Sequence, residues 1–97
     1  MIIEIMNKFA KIRKLAQEMV YLYDLKYEIA KPKVYEIINK KITDTNYVER
    51  VLDRFLDIPT DKGYELLKIL YNYWININKE SADFYLKEFE KQYIKKD

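Results

Sequence analysis

Apolar residues recur at alternating intervals of three and four along the start of this chain. They fall at Ile2, Ile5, Phe9, Ile12, Ala16, Met19 and Tyr23. This spacing is typical of a helix that buries one narrow seam. Elsewhere in the 97 residues no segment alternates apolar and polar residues over the length of a strand, and no Asn-Gly or Asp-Gly hairpin turn occurs. The sequence therefore predicts an all-α fold.

Helix-breaking and capping residues divide the chain into about five helices. The first is predicted from Ile2 to about residue 30, because Pro32 disfavours helical geometry at the residue before it. Pro32 then suits the first turn of a second helix, which runs to about residue 42. Three further helices are predicted at 47–58, 61–77 and 79–94, with the N-terminal caps Asn46 (a capping box with Glu49), Thr60 and Asn78. We expect a single domain over residues 1–97, a compact bundle with a long first helix.

The apolar positions of the later helices predict the core. The third helix is expected to turn Val48, Val51, Leu52 and Phe55 inward. The helix at 61–77 is apolar around most of its circumference, which predicts that it is central to the bundle. In the second helix, the predicted buried positions are Val34 or Tyr35, Ile38 and Ile42.

The predicted first helix is too long for a compact domain. About 29 residues would span roughly 43 Å, whereas a compact domain of this length is about 32 Å across. The helix must bend or break near residues 21–24, or one end must project. A projecting apolar seam must be covered by a partner or a second copy, so Ile2, Ile5 and Phe9 are candidate interface residues.

The composition removes the residues on which most enzyme chemistry depends. The chain contains no histidine, no cysteine and one glycine, so an imidazole base, a thiolate and a glycine-rich phosphate loop are all excluded. Glu49, Asp53 and Asp57 share one helical face, but Arg50 and Arg54 alternate with them, which favours charge compensation over metal binding. We expect no enzymatic activity, no cofactor and no metal.

Basic residues are concentrated in the first part of the chain. Residues 1–41 contain nine Lys and Arg against five Asp and Glu, whereas residues 42–97 contain nine against eleven. Basic helical ridges suit a nucleic-acid backbone, where each neutralised phosphate releases counterions. The alternative is a solvated helix face. The candidate DNA or RNA contacts are Lys8, Lys11, Arg13, Lys14, Lys33, Lys40, Lys41, Arg50 and Arg54.

The ten tyrosines allow two interpretations. Tyr21, Tyr23 and Tyr27 lie near Lys26, and aromatic side chains beside cations can stack single-stranded bases. Most of the tyrosines, however, lie on the apolar stripes, which favours residues at the edge of the core with hydroxyls in water.

Targeting signals are not evident. Apolar stretches are interrupted by charge every three or four residues, so no membrane span is expected. An acid at position 4 does not fit a signal peptide, and the lack of cysteine fits a reducing compartment, so a cytoplasmic location is expected.

The second half of the chain carries a family resemblance. Three of its segments, at 47–56, 61–67 and 70–74, read YVERVLDRFL, DKGYELL and LYNYW. In its spacing of helices, acids and aromatics this half resembles the C-terminal helical region of large subunits in some type I CRISPR effector complexes. In certain subtypes of this archaeal and bacterial antiviral defence system, that region is made separately as the small subunit. The resemblance implies a non-catalytic subunit that stacks beside the guide RNA filament and supports DNA strands.

Three functions follow as hypotheses. The first is a non-catalytic helical subunit of a larger nucleoprotein assembly, with other protein subunits or further copies as partners and weak nucleic-acid binding of its own. The second is a small interaction or inhibitor protein, of virus or plasmid type, that acts on a protein partner. A helix-turn-helix DNA reader ranks last, because no helix offers a recognition face rich in Arg, Asn or Gln.

Overall fold

The computed structural model describes the backbone of residues 2–94, and the side chains of Glu18 and residues 21–94. Over this range the chain forms four helices and no strand: α1 (Ile2–Asn39), α2 (Thr45–Phe55), α3 (Asp61–Trp74) and α4 (Lys79–Ile94). The prediction of an all-α bundle is confirmed. The count of five helices is wrong, because the first two predicted helices are one.

Helix α1 continues through Pro32. The proline ring removes the N–H that would bond to the carbonyl of Glu28, but both residues lie on the solvent side of the helix, where water can satisfy that carbonyl. On the opposite side Ala30, Val34 and Ile37 are fully buried. Because the core holds α1 both before and after Pro32, packing outweighs the local preference for a break.

The end of α1 is a Schellman turn with lysine in the place usually taken by glycine. The N–H of Ile42 bonds to the carbonyl of Ile37 at 2.9 Å, and the N–H of Lys41 bonds to the carbonyl of Ile38 at 3.3 Å. Lys41 has a φ of 52°, in the left-handed region that strains residues with a Cβ atom.

Replacing Lys41 with glycine is expected to raise the free energy of unfolding by about 0.5–1 kcal/mol, because glycine adopts positive φ without steric cost. Urea denaturation followed by circular dichroism measures the change. Lys40→Gly is the matched control: Lys40 lacks the positive φ, so its replacement should not stabilise the fold. Stabilisation by both variants, or by neither, would contradict the prediction.

Helix α1 reaches beyond the other three helices. Its 38 residues span about 57 Å at 1.5 Å per residue, and the molecule measures 60 × 26 × 19 Å. Tyr27 is the first described side chain of α1 that packs against the core. We call residues 2–26 the arm. The helix does not break near residues 21–24. Its N-terminal end projects from the bundle, which is the second of the two outcomes expected for an overlong helix.

The core lies where α2, α3 and α4 pack around the second half of α1. Helix α3 contacts each of the other three helices, as its apolar circumference predicts, and buries Leu66, Leu67, Leu70 and Trp74. The inward face predicted for α2 is confirmed in full. In the segment after Pro32, Val34 and Ile37 are buried and Tyr35 is exposed, while Ile38 and Ile42 pack at the edge of the core.

The N-terminal caps were predicted correctly for two helices. The Thr60 hydroxyl accepts from the N–H of Gly63 at 3.1 Å, and the Asn78 side chain accepts from the N–H of Ser81 at 3.1 Å. The cap assigned to Asn46 is wrong. Asp44 caps α2 instead, with Oδ1 accepting from the N–H groups of Asn46 and Tyr47. Both residue types suit an N-cap, and the helix begins at Thr45, directly after Asp44.

Helix α3 is shorter than predicted. It ends at Trp74. Beyond this residue the side-chain amide of Asn76 donates to the carbonyl of Asn72 at 3.0 Å, and the N–H of Ile77 bonds to the carbonyl of Trp74, three residues back, at 2.9 Å. This closes the chain into a turn that leads directly into α4.

Candidate functional site

The predicted site residues divide between the bundle and the arm. Lys8, Lys11, Arg13 and Lys14, and the candidate interface residues Ile2, Ile5 and Phe9, lie on the arm, outside the described side chains. Five predicted basic contacts belong to the described part: Lys33, Lys40, Lys41, Arg50 and Arg54.

Three lysines form a row along one side of α1. Lys26, Lys33 and Lys40 are spaced by seven residues, which is nearly two full helical turns and places them on one side of the helix. We call them the lysine row. Lys26 and Lys40 are exposed, and Lys33 is half-buried. Lys41 follows in the turn and is exposed. Lys26 was not among the predicted contacts, although its seven-residue spacing to Lys33 was visible in the sequence.

Arg54 extends the basic side of α1 across a groove. Lys26 and Ile29 of α1 line this groove with Arg54 and Asp57 of α2 and the turn that follows it. Arg54 therefore lies across the groove from Lys26 of the lysine row. The negative charge of Asp57 offsets part of the positive charge of these two residues.

Arg50 lies apart from the lysine row. It lines a second groove, which runs between α2 and α4 and also contains Glu49, Asp53 and Tyr85. Burial raises the pKa of the Tyr85 hydroxyl above its usual value, and the charges of Glu49 and Asp53 raise it further. Acidic neighbours thus surround Arg50, and the structure does not bring all the predicted basic residues onto one surface.

An exposed apolar patch lies beside the lysine row. Leu22, Leu25 and Ile29 follow one another at intervals of three and four residues, and their exposed fractions are 48%, 44% and 46%. We call these three residues the α1 patch. Sequence reasoning missed it because it assigned the interface to the seam through Ile2, Ile5 and Phe9. The intervals of the patch are themselves helical and were readable in the sequence.

Five tyrosine hydroxyls serve the fold. Four donate to carboxylates on a neighbouring helix: Tyr47 to Glu36 (3.4 Å), Tyr64 to Glu90 (2.7 Å), Tyr71 to Asp83 (2.7 Å) and Tyr93 to Asp61. Tyr73 donates to the carbonyl of Ile42 at 2.8 Å. Tyr21, by contrast, is 66% exposed on the arm. These five tyrosines lie at the edge of the core, as expected, but the expectation that their hydroxyls point into water is wrong, because each donates to a protein oxygen. Tyr21 keeps a free aromatic face.

These contacts make the fold sensitive to alkaline pH. The hydrogen bond to Glu90 raises the pKa of Tyr64 above its ordinary value of 10.0, and the bond to Asp83 does the same for Tyr71. A folded-state pKa above the unfolded value contributes stability that is fully present below the unfolded pKa and is lost as pH rises through the folded pKa. We expect the free energy of unfolding to fall as the pH rises above the ordinary tyrosine pKa of about 10. Urea denaturation across this range measures it.

Tyr64→Phe is the control for the alkaline loss, because it removes the titrating hydroxyl and keeps the ring against Phe89. The variant should lose less stability between neutral and alkaline pH than the unmodified chain. An equal loss in both proteins would show that Tyr64 does not contribute.

Neither a metal-binding cluster nor a membrane-spanning helix occurs among the described residues. Among their acidic side chains, no group of three or more is arranged to hold a metal ion. None of the described helices combines the length and apolar character needed to cross a bilayer. Comparisons of the chain with protein-family models, with curated proteins and with solved structures return no match.

Proposed function

We propose that the chain is a non-catalytic helical subunit of a larger nucleoprotein assembly in the cytoplasm. In this role the lysine row, with Lys41, contacts a nucleic-acid backbone, and the arm attaches the subunit to its neighbours. The small subunit of a CRISPR effector complex is the specific form that the family resemblance implies. The observation that carries the proposal is the alignment of Lys26, Lys33 and Lys40 along one side of α1.

The lysine row has the geometry of a backbone contact. Seven residues of helix advance about 10.5 Å, so the three lysine positions follow a line of roughly 21 Å. Lysines at this spacing neutralise separated phosphates without reading bases, which gives affinity that depends strongly on salt and little on sequence. Three or four such contacts give weak binding, so useful affinity would come from assembly with other subunits.

The test is a fluorescence-anisotropy titration of labelled single-stranded DNA at two salt concentrations. We expect weak binding at low salt that falls steeply as salt rises. The variant Lys40→Gln/Lys41→Gln should bind several-fold more weakly at low salt. Its salt slope should be smaller by about 0.7 for each phosphate contact that is lost.

The matched control removes the same charge elsewhere. Lys68 and Lys87 are exposed on α3 and α4, away from the lysine row, so Lys68→Gln/Lys87→Gln should leave the binding nearly unchanged. Equal weakening by both variants would indicate only a response to net charge. No binding at low salt would reject the nucleic-acid part of the proposal.

The second candidate is an interaction protein that acts on a protein partner. The α1 patch favours it, because a run of apolar side chains at nearly half exposure on a projecting helix is typical of a protein interface. Pull-down with the unmodified chain and with Leu25→Asp distinguishes the two candidates. A partner that is lost with Leu25→Asp, without any nucleic-acid binding, would favour the second.

A further inference from the structure

We infer that α1 pairs with α1 of a second copy in antiparallel orientation, through the α1 patch and two ion pairs. The inference goes beyond the proposed function, and its test needs no nucleic acid. In the dimer Lys33 faces Glu18 of the second copy, so Lys33 is then not free for a phosphate contact. It rests on the symmetric positions of four described side chains of the helix, Glu18 with Lys33 and Leu22 with Ile29, about the bond between Leu25 and Lys26.

The exposed residues on this side of α1 are placed symmetrically about the bond between Leu25 and Lys26. Leu22 precedes Leu25 by three residues, and Ile29 follows Lys26 by three. Two antiparallel copies of a helix place residues at equal distances from their common midpoint at the same level. Leu22 of each copy therefore meets Ile29 of the other, and both copies of Leu25 lie close to the two-fold axis.

The charges at the ends of this stretch have the same symmetry and opposite signs. Glu18 precedes Leu25 by seven residues, and Lys33 follows Lys26 by seven. Antiparallel pairing thus brings Glu18 of each copy beside Lys33 of the other. Glu18 is exposed and Lys33 is half-buried, and among the described side chains neither forms an ion pair.

All of these side chains lie on one side of the helix. At 100° per residue, Glu18, Leu22, Leu25, Ile29 and Lys33 fall within a sector of about 80°, which is centred roughly 100° from the buried position of Ala30. This sector is therefore beside the core and does not compete with it. The exposures of the three apolar residues, 44–48%, agree with that placement.

The symmetry is what identifies the occupant as a second copy. A self-complementary surface, in which residue i contacts j and j contacts i, is the requirement for a two-fold dimer. An unrelated partner would need apolar and charged residues to match this surface, but would impose no symmetry upon it. Pairing also runs the arm of each copy alongside the bundle of the other, which covers the projecting helix.

Like charges limit the pairing near its midpoint. Lys26 follows Leu25 directly, so the two copies of Lys26 also lie near the two-fold axis, on the flank opposite Leu25. Their repulsion is screened by salt. The arrangement is therefore held by the α1 patch and by the two pairs between Glu18 and Lys33.

Sedimentation equilibrium with charge-reversal variants tests the inference. The unmodified chain should form a dimer. Glu18→Lys and Lys33→Glu should each raise the dimer dissociation constant about tenfold or more, because each turns two attractive contacts into repulsive ones. The double variant Glu18→Lys/Lys33→Glu should restore the dimer to within about threefold of the original.

An equimolar mixture of the two single variants gives the sharpest result. Each variant alone places like charges together at both ends of the patch: two lysine pairs in Glu18→Lys, and two glutamate pairs in Lys33→Glu. In a mixed pair, both lysines of the first variant face glutamates of the second. We expect a heterodimer about as stable as the original dimer. A mass tag on one variant distinguishes this heterodimer from the two homodimers.

Two outcomes would overturn the inference: a monomeric unmodified chain at every concentration tested, or charge variants that neither weaken the dimer alone nor restore it together. Circular dichroism of each variant confirms that it is folded. Ile69→Asp is the apolar control. Ile69 is 40% exposed on α3, outside the α1 patch, so this variant should dimerise normally, whereas Leu25→Asp should not.

Discussion

Replacing Gly63 with alanine is expected to lower the free energy of unfolding by about 3 kcal/mol, the upper end of the usual cost of overpacking a core. A Cβ at this position would overlap the carbonyl oxygen of Ile58 and lie 3.0 Å from Cγ2 of the same residue. The carbonyl is held by the N–H of Thr60 at 2.8 Å, and the Ile58 side chain is fully buried. Neither group can move aside without disturbing the core.

Helix propensity alone predicts that this substitution raises the free energy of unfolding. Alanine is favoured over glycine inside a helix by about 1 kcal/mol, so a solvent-exposed Gly63 would gain stability. Glu65→Ala is the matched control, since Glu65 is exposed in the same helix and should shift stability by about 0.5 kcal/mol or less. Urea denaturation followed by circular dichroism separates the two effects. Unchanged or increased stability of Gly63→Ala would contradict the packing of α3 on the Ile58 segment.

The helices that the sequence predicts well are those with clear local boundaries. Helix α2 lies between a capping turn and the Ile58-Pro59 segment, and its four buried residues lie at helical intervals. Local spacing therefore determines its inward face, whereas its limits differ from the predicted 47–58, because the helix begins at Thr45 and ends at Phe55. The Asn78 cap of α4 is readable for the same reason.

Helix α1 shows where local reasoning fails. Pro32 is a valid signal for a break, but Ala30 and Val34 on either side of it are both buried, and no local pattern reveals that one core holds both. The turn at Lys41, which ends α1, could not be predicted for a related reason. A Schellman turn usually contains glycine, so a lysine with positive φ gives no signal in the sequence.

The candidate site depends on which side of α1 the bundle covers. The sequence shows apolar residues on more than one side of this helix, but not which of them the other helices leave exposed. Packing of α2 and α3 buries Ala30, Val34 and Ile37 and leaves Leu22, Leu25 and Ile29 at the surface. This orientation of α1 also places Lys26 of the lysine row in the groove with Arg54. The sequence alone does not show that these two residues lie close together.

Replacing Trp74 with alanine is expected to cost about 3–5 kcal/mol, a large share of the roughly 5–15 kcal/mol typical of whole domains. Trp74 is fully buried at the end of α3. Its Nε1–H donates to the Ser81 hydroxyl at 3.0 Å, and that hydroxyl donates to Oε2 of Glu49 at 2.7 Å. One side chain thus links α3 to α4 and, through Ser81, to α2. Near-complete unfolding at moderate urea, read from circular dichroism, is the expected result.

A double-mutant cycle separates the polar part of this cost from the loss of volume. Ser81→Ala leaves the Trp74 N–H buried without its partner, which costs about 1–3 kcal/mol. Trp74→Phe removes the N–H itself, so Ser81→Ala should cost less when it is added to that variant. We expect a coupling free energy of about 1 kcal/mol. Additive effects would show that the bond between Trp74 and Ser81 does not stabilise the fold. Trp74 would then join α3 to α4 by apolar packing alone, and the hydrogen bond from Ser81 to Glu49 would join α4 to α2 independently of Trp74.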